Sequence, residues 1–225
     1  MYGTAWKKER TTELVVKAVL AGFKGVDTAC QPKHYREELV GKAISELETK
    51  HSIPRASLWI QTKYTPIGGQ DMTKPLPYDP KSTIEEQVKS SVETSLRQLN
   101  VDYLDGLLLH SPIPTVELLI GACRYRAEPL VGGEWLGLGK SFWTLSGNPG
   151  LLKSPPVLQF AKRHGMTVEQ ILFKFCQSIG ITPLSGTTNE QHMKEDVEVE
   201  TSANLAAFEV EALEAALRRA GAQSN

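Results

Sequence analysis

Residues 23–44, FKGVDTACQPKHYREELVGKAI, decide the fold. Phe23 to Ala29 is short, apolar and β-branched, and Leu39, Val40, Ala43, Ile44 and Leu47 then recur at helical spacing from Glu37 to Thr49. This is a strand passing into a helix. The same alternation extends on both sides. Upstream, Leu14, Val15, Ala18 and Val19 share one helical face over residues 11–21, with Thr11 as N-cap and Gly22 as the stop. Downstream, Leu58 to Lys63 (LWIQTK) reads as a strand, Ile84, Val88, Val92, Leu96 and Leu99 mark a long helix, and Tyr103 to His110 (YLDGLLLH) is a nearly continuous apolar strand. Apolar strands separated by helices predict a parallel sheet covered on both faces. No G-x-G-x-x-G follows any of these strands, so the expected architecture is α/β, a (β/α) TIM barrel ahead of a dinucleotide-binding open sheet.

The second half is less regular. Thr115 to Ala127 reads as a helix, Pro129, Gly132 and Gly133 interrupt it, and Trp135 to Leu145 (WLGLGKSFWTL) reads as one or two strands placed almost end to end. Helical patterns resume at Pro155 and at a Thr167/Gln170 capping box that opens a helix to Ile179. Thr182 to Thr187 is a last strand and loop, and two helical segments follow, the second from Leu205 to Arg219. Neither a linker nor an internal repeat divides the chain, so residues 1–225 are expected to form a single domain.

Composition narrows the function. The 225 residues are 40% hydrophobic, and 25 Lys+Arg stand against 26 Asp+Glu for a net charge of −1. That balance supplies no field for nucleic acid or an anionic membrane. No apolar run approaches the roughly 18 residues of a membrane span, and the charged start MYGTAWKKERTTE is unlike a signal peptide, so a cytoplasmic protein is expected. Cys30, Cys123 and Cys176 are widely spaced without a CxxC pair; buried free thiols are expected, and no metal site.

In a parallel barrel the chemistry sits where strands end and loops begin. Asp27, Lys63 and His110 occupy three such ends, and Tyr35 follows the Asp27 loop. Singly, each also reads as a solvated loop residue or a surface ion pair. Jointly they suit proton exchange with a substrate oxygen: Asp27 keeps Lys63 charged, the ammonium lowers the Tyr35 phenol, and His110 orients the oxygen.

The segments GTAW (3–6), GFKGVDTA (22–29), HYREELVGKAI (34–44), LWIQTK (58–63) and LLLHSP (107–112) resemble the aldo-keto reductases in order, spacing and strand placement. GVDTACQPKHYREELVG (25–41), KSFWTLSGNPGLLKSPPV (140–157) and GITPLSGTTNEQHMKEDVEV (180–199) resemble a subgroup of them known from fungi and some other organisms. The resemblance implies reduction of a small aldehyde or ketone with NADPH, or NADH as the alternative, and a role in specialised metabolism. It makes Asp27, Tyr35, Lys63 and His110 the catalytic tetrad, with Tyr35 protonating the carbonyl oxygen. It assigns Gly3, Thr4 and Ala5 to the loop near the nicotinamide and pyrophosphate, makes Asp27 a cofactor-binding residue as well, and places Ser141 and Leu145 beside the pyrophosphate. Gly186, Thr187, His192, Glu195 and Asp196 fall where the family commonly has Lys, Ser, Arg, Glu and Asn around the adenosine phosphate. With two basic residues replaced, a weak choice between NADPH and NADH is expected. The resemblance also implies that strand six, the end of strand five and most of strand one are missing, with a deletion near residues 139–141. The alternative function is an impaired barrel remnant that binds a nucleotide weakly or serves as an interaction protein. Nothing in the sequence fixes an oligomeric state.

Overall fold

The computed structural model describes residues 1–110, 140–141 and 149–222. The chain divides into two compact units, Met1–Trp135 and Leu136–Asn225.

In the first unit, four strands alternate with three helices: β1 (Tyr2–Gly3), α1 (Thr11–Ala21), β2 (Gly25–Asp27), α2 (Glu37–His51), β3 (Trp59–Tyr64), α3 (Ile84–Leu99) and β4 (Gly106–Leu109). The strands are all parallel and lie side by side in chain order. A doubly wound open sheet reverses its order at a switch point, and this run of four does not. Strand β2 is shorter than the apolar pattern suggests, yet its flanking residues still bond to β3: Trp59 N–H donates to the Lys24 carbonyl and Thr28 N–H to the Gln61 carbonyl. Among the described residues β4 pairs with β3 alone, and its Gly106–Leu109 side chains are half-buried.

The helices form where expected, with one correction at α1. Thr11 lies inside the helix, the cap position is Arg10 in helical conformation, and the Thr11 hydroxyl donates to the Lys8 carbonyl at 2.7 Å. A 3-10 turn at Lys8–Arg10 runs straight into α1, so the helix needs no side-chain cap. Helix α3 does have one: Thr83 and Glu86 form a capping box. Val15, Ala18, Val26, Val40, Ala43, Ile44, Leu47, Ile60, Val92 and Leu99 are buried between helices and sheet. At Gly41 of α2 a Cβ would lie 2.5 Å from the Gln98 carbonyl oxygen and 2.7 Å from that of Leu99, so only glycine lets α2 meet the end of α3. At the opposite end of β3 from the candidate site, Arg55 bonds Asp105 at 2.7 Å and the Tyr103 and Leu58 carbonyls, while Asp105 also accepts from Ile60 N–H. This clamp fixes where β3 and β4 begin, and so where they end.

The second unit has β5 (Lys140–Ser141), α4 (Pro149–Leu152), α5 (Pro155–His164), α6 (Val168–Ser178), β6 (Thr182–Pro183), α7 (Glu190–Glu198) and α8 (Ala207–Ala222). β5 and β6 pair in parallel, with Lys140 opposite Thr182 and Ser141 opposite Pro183. Leu151, Val157, Phe160, Ile171, Leu172, Phe175 and Leu213 form its core. The Thr167/Gln170 box is present, and Gln170 also donates to the Glu195 carbonyl at 2.8 Å, joining α6 to α7. The expected helix at 115–127, Cys123, Leu145 and most of the 135–145 strand region lie outside the described residues. Among the described residues no helix is long and apolar enough to cross a membrane.

Candidate active site

β2, β3 and β4 are neighbours, so the residues at their carboxyl ends are brought together by the ladder itself. Lys63, in the last turn of β3, donates from Nζ to Asp27 Oδ2 at 2.6 Å and to the Thr28 carbonyl at 2.7 Å. Gln61 Nε2 donates to Asp27 Oδ1. Both carboxylate oxygens are therefore engaged, and Asp27 and Lys63 are almost fully buried as a pair. Alternation along a strand explains the set: Gln61 and Lys63 share one face of β3 and Thr62 takes the other. On that other face, Thr62 and Ser95 donate their hydroxyls to the buried Glu37 carboxylate at 2.5 and 2.8 Å. Burial raises Glu37 above the usual carboxylate range, against those hydrogen bonds. Cys30 beside this group is pushed up to about 12, chiefly by burial and then by Glu37, so it is an unreactive thiol.

Tyr35 is 4% exposed. Its ring lies under the Lys63 ammonium, 4.9 Å from nitrogen to centroid, and edge-on to His110 with centroids 5.6 Å apart. Among the described residues its phenol oxygen has no hydrogen-bond partner. His110 is held by its own N–H to the Tyr64 carbonyl at 2.9 Å, and its Nδ1 lies 2.7 Å from Thr65 Oγ1. Burial, and then the Lys63 charge, lower its imidazole to about 4, Asp27 opposing. His110 is therefore neutral at neutral pH.

One expectation is corrected here. Lys63 does not lower the Tyr35 phenol; burial first and the Asp27 charge second raise it well above its ordinary value. The ammonium lies over the ring and directs its hydrogen bonds to Asp27 and Thr28, so in the free protein its field is largely answered by the carboxylate. A raised phenol is one that stays protonated at every physiological pH.

The structure brings all four tetrad residues together. Gly3 stands opposite Asp27 in the β1–β2 ladder, and Thr4 is buried with both its N–H and its hydroxyl donating to the Asp27 carbonyl at 3.0 Å. The remaining expected contacts belong to the second unit. Ser141 is in β5; Leu145 is outside the described residues. Thr187 accepts through its hydroxyl from Asn189 N–H at 3.1 Å, and Asn189 Oδ1 caps α7 by accepting from Gln191 and His192 N–H. His192 is exposed, Glu195 accepts from Gln191 at 3.0 Å, and Asp196 accepts from Ser185 at 2.5 Å and is raised by burial against that bond. Sequence reasoning missed Gln61, Glu37 and Thr65. For Gln61 a signal existed: two places before Lys63 in a strand, it must share its face.

Comparison with known proteins gives one family. The aldo/keto reductase family model matches residues 2–130. An aldo-keto reductase of Mycobacterium sp. strain KMS is 24% identical over 238 residues, covering 85% of this chain and 79% of that protein. An NAD/NADP-dependent indole-3-acetaldehyde reductase of Schizosaccharomyces pombe is 30% identical over 194 residues, covering 80% of this chain and 60% of that protein. Among solved structures, an aldo/keto reductase from Brucella melitensis superposes with a TM-score of 0.70 at 21% identity over 96% of this chain and 92% of its own. The Bombyx mori aldo-keto reductase in complex with NADP gives 0.68 at 18% identity, over 96% and 87%. At such identities the likeness shows the fold, a (β/α) barrel; among the described residues the first unit has four parallel strands and the second a parallel pair.

Proposed function

This chain belongs to the aldo/keto reductase family, and on that premise we propose that it reduces the carbonyl of a small aldehyde or ketone to an alcohol. Tyr35 is the proton donor, and a nicotinamide dinucleotide, NADPH with NADH as the alternative, is the hydride source. The observation that carries the reading is the gathering of Asp27, Lys63 and His110 about the Tyr35 ring, whose phenol oxygen has no hydrogen-bond partner among the described residues.

When bound, the cofactor supplies hydride to the carbonyl carbon. The chain's own residues do the rest. The Tyr35 phenol donates a hydrogen bond to the carbonyl oxygen and passes its proton there as negative charge develops, which leaves a phenolate. The Lys63 ammonium, 4.9 Å from the ring centroid, stabilises that phenolate far more than it stabilises the neutral phenol. Asp27 and Gln61 keep the ammonium in place. Neutral His110 offers one N–H to the same oxygen, fixing its direction without competing as an acid.

The residues present fit the nicotinamide end of the cofactor. Beyond the open phenol, Thr28 Oγ1 is buried directly after Asp27 and has no hydrogen-bond partner among the described residues, so polar capacity remains there for a ligand to complete. Gly3, Thr4 and Asp27 would hold that end; the sequence resemblance alone assigns Ser141 and Leu145 to the pyrophosphate and Thr187, His192 and Glu195 to the adenosine phosphate. Around His192 and Lys194 stand Glu190, Glu195 and Asp196, so a 2′-phosphate meets no net positive charge and the preference for NADPH over NADH is small. A single barrel domain lacking an internal segment is supported by the Mycobacterium alignment: 85% of 225 residues is about 191, against 238 aligned positions, so the relative has positions with no residue here. The role in specialised metabolism rests on the sequence resemblance alone.

Tyr35→Phe tests the reading. It should lower turnover by about 10³-fold while NADPH binding, followed by quenching of the cofactor's fluorescence, stays nearly unchanged. Undiminished turnover would move the acid elsewhere, with His34 the next candidate. No quenching in the unaltered protein would favour the remnant.

A further inference from the structure

Thr65 stands two residues beyond Lys63, and none of the chemistry above uses it. Its surroundings over-determine it. It is 2% exposed, and its carbonyl accepts from the Tyr78 hydroxyl at 2.7 Å and from Gln70 Nε2 at 3.1 Å. Its methyl faces Gly69 so closely that a Cβ there would lie 2.7 Å from Thr65 Cγ2. Methyl and hydroxyl share one Cβ, so seating the methyl against Gly69 also aims the hydroxyl. Gly69 is itself held, its carbonyl accepting from Gln31 Nε2 at 2.8 Å.

The hydroxyl is aimed at His110 Nδ1, 2.7 Å away, its one hydrogen-bond partner among the described residues. Two arrangements are possible for a neutral imidazole. If Nδ1 carried the proton it would donate to Thr65 Oγ1, and the hydroxyl hydrogen would be buried with no acceptor. If the hydroxyl donates to Nδ1, both groups are satisfied. Buried polar hydrogens left unpaired are costly, so the second arrangement wins. A doubly protonated ring is excluded at neutral pH, because burial and the Lys63 charge lower His110 to about 4.

We infer that Thr65 is a positioning residue that sets the tautomer of His110, holding the single ring proton on Nε2, the nitrogen left to meet a carbonyl oxygen at Tyr35. The inference rests on the proposed reduction for its consequence but not for its geometry. Without the hydroxyl, the Nδ1–H tautomer becomes accessible, and in it Nε2 is an acceptor that repels the substrate oxygen.

The experiment uses the full chain, uniformly labelled with ¹⁵N-histidine, at pH 7 without cofactor, the His110 signals being identified by their loss in His110→Asn. The unaltered protein should show a protonated Nε2 and an unprotonated Nδ1. Thr65→Val, of the same shape, should move both signals toward a mixture of tautomers and lower turnover about tenfold. Thr65→Ser, which keeps the hydroxyl, should restore the spectrum and most of the rate, which a merely structural role for Thr65 would not require. A proton on Nδ1 in the unaltered protein, or a Thr65→Val spectrum equal to it, overturns the inference. A shifted spectrum with unchanged turnover upholds Thr65's role and instead removes His110 from the reaction.

Discussion

Lys63 bonds Asp27 across 36 residues of chain, Gln61 bonds Asp27 across 34, and Thr65 bonds His110 across 45. In the second unit, Asn189 bonds Gln191 and His192 two and three residues away, and Gln191 bonds Glu195 four away. The first set exists only when the parallel ladder has closed the two long connections from β2 to β3 and from β3 to β4, each at a cost in chain entropy. The second set belongs to a single helix and its cap. Geometry needed to within a fraction of an ångström for proton transfer is thus carried by the tertiary fold, while the residues proposed for the adenosine end rest on local structure. The two regions should therefore fail differently.

The largest difference is expected on removing charge. Lys63→Met leaves Asp27 buried with only Gln61, and should cost about 3–5 kcal/mol of stability in urea unfolding as well as abolishing turnover. His192→Met, at an exposed position of α7, should stay within about 0.5 kcal/mol. Equal losses at the two sites would break the comparison.

Acid should separate the regions next. His110 has a folded value of about 4 against about 6.5 when unfolded, so between those values the unfolded chain holds the extra proton. The stability its neutral form confers is complete above about pH 6.5 and is lost as pH falls toward 4, on the order of 2 kcal/mol. His110→Asn should flatten that slope in melts run from pH 7 to 4.5. In the second unit, burial would raise Glu209, but bonds from Ala206 N–H and His164, with Arg163 nearby, outweigh it and hold the carboxyl below its usual value. Its contribution is present above the unfolded carboxylate value and is lost only as pH falls through the lower folded one. A loss beginning near pH 6.5 is therefore attributable to the first unit.

The smallest effect compares two copies of one motif. Glu86→Ala removes an exposed capping-box partner and should lower stability only slightly, by less than the change at Gln170. Gln170→Ala removes the equivalent partner and also the bond to the Glu195 carbonyl, and should cost about 2 kcal/mol. Similar midpoint shifts for the two would mean that the α6–α7 bridge contributes nothing beyond the cap.

Much of this was legible in the residues themselves. Helices α1, α2, α3 and α6 announce their buried faces through apolar spacing, because a helix that packs must present one stripe whatever it packs against. Asp27, Lys63 and His110 stand out because each ends a run of apolar residues that only a covered strand would tolerate. Two short-range misreadings have local causes: the 3-10 turn before α1 displaces Thr11 from the cap, and the Thr83/Glu86 box follows a loop whose Pro and Asp residues mask the signal.

What the sequence by itself determined is therefore the order of strands and helices among the described residues and the places of Asp27, Lys63 and His110 where strands pass into loops, since periodicity and position along a strand are properties of neighbours in the chain. Only the tertiary structure decided that Gln61 completes Asp27, that Thr65 rather than a backbone group engages His110, and that the Tyr35 phenol is raised rather than lowered. Each depends on which groups the fold brings together, and on how much water their meeting excludes. A hydrogen bond or a shifted proton is set by distances of 3 to 5 Å, and no spacing along the sequence fixes a distance between loops until the sheet has brought their ends together.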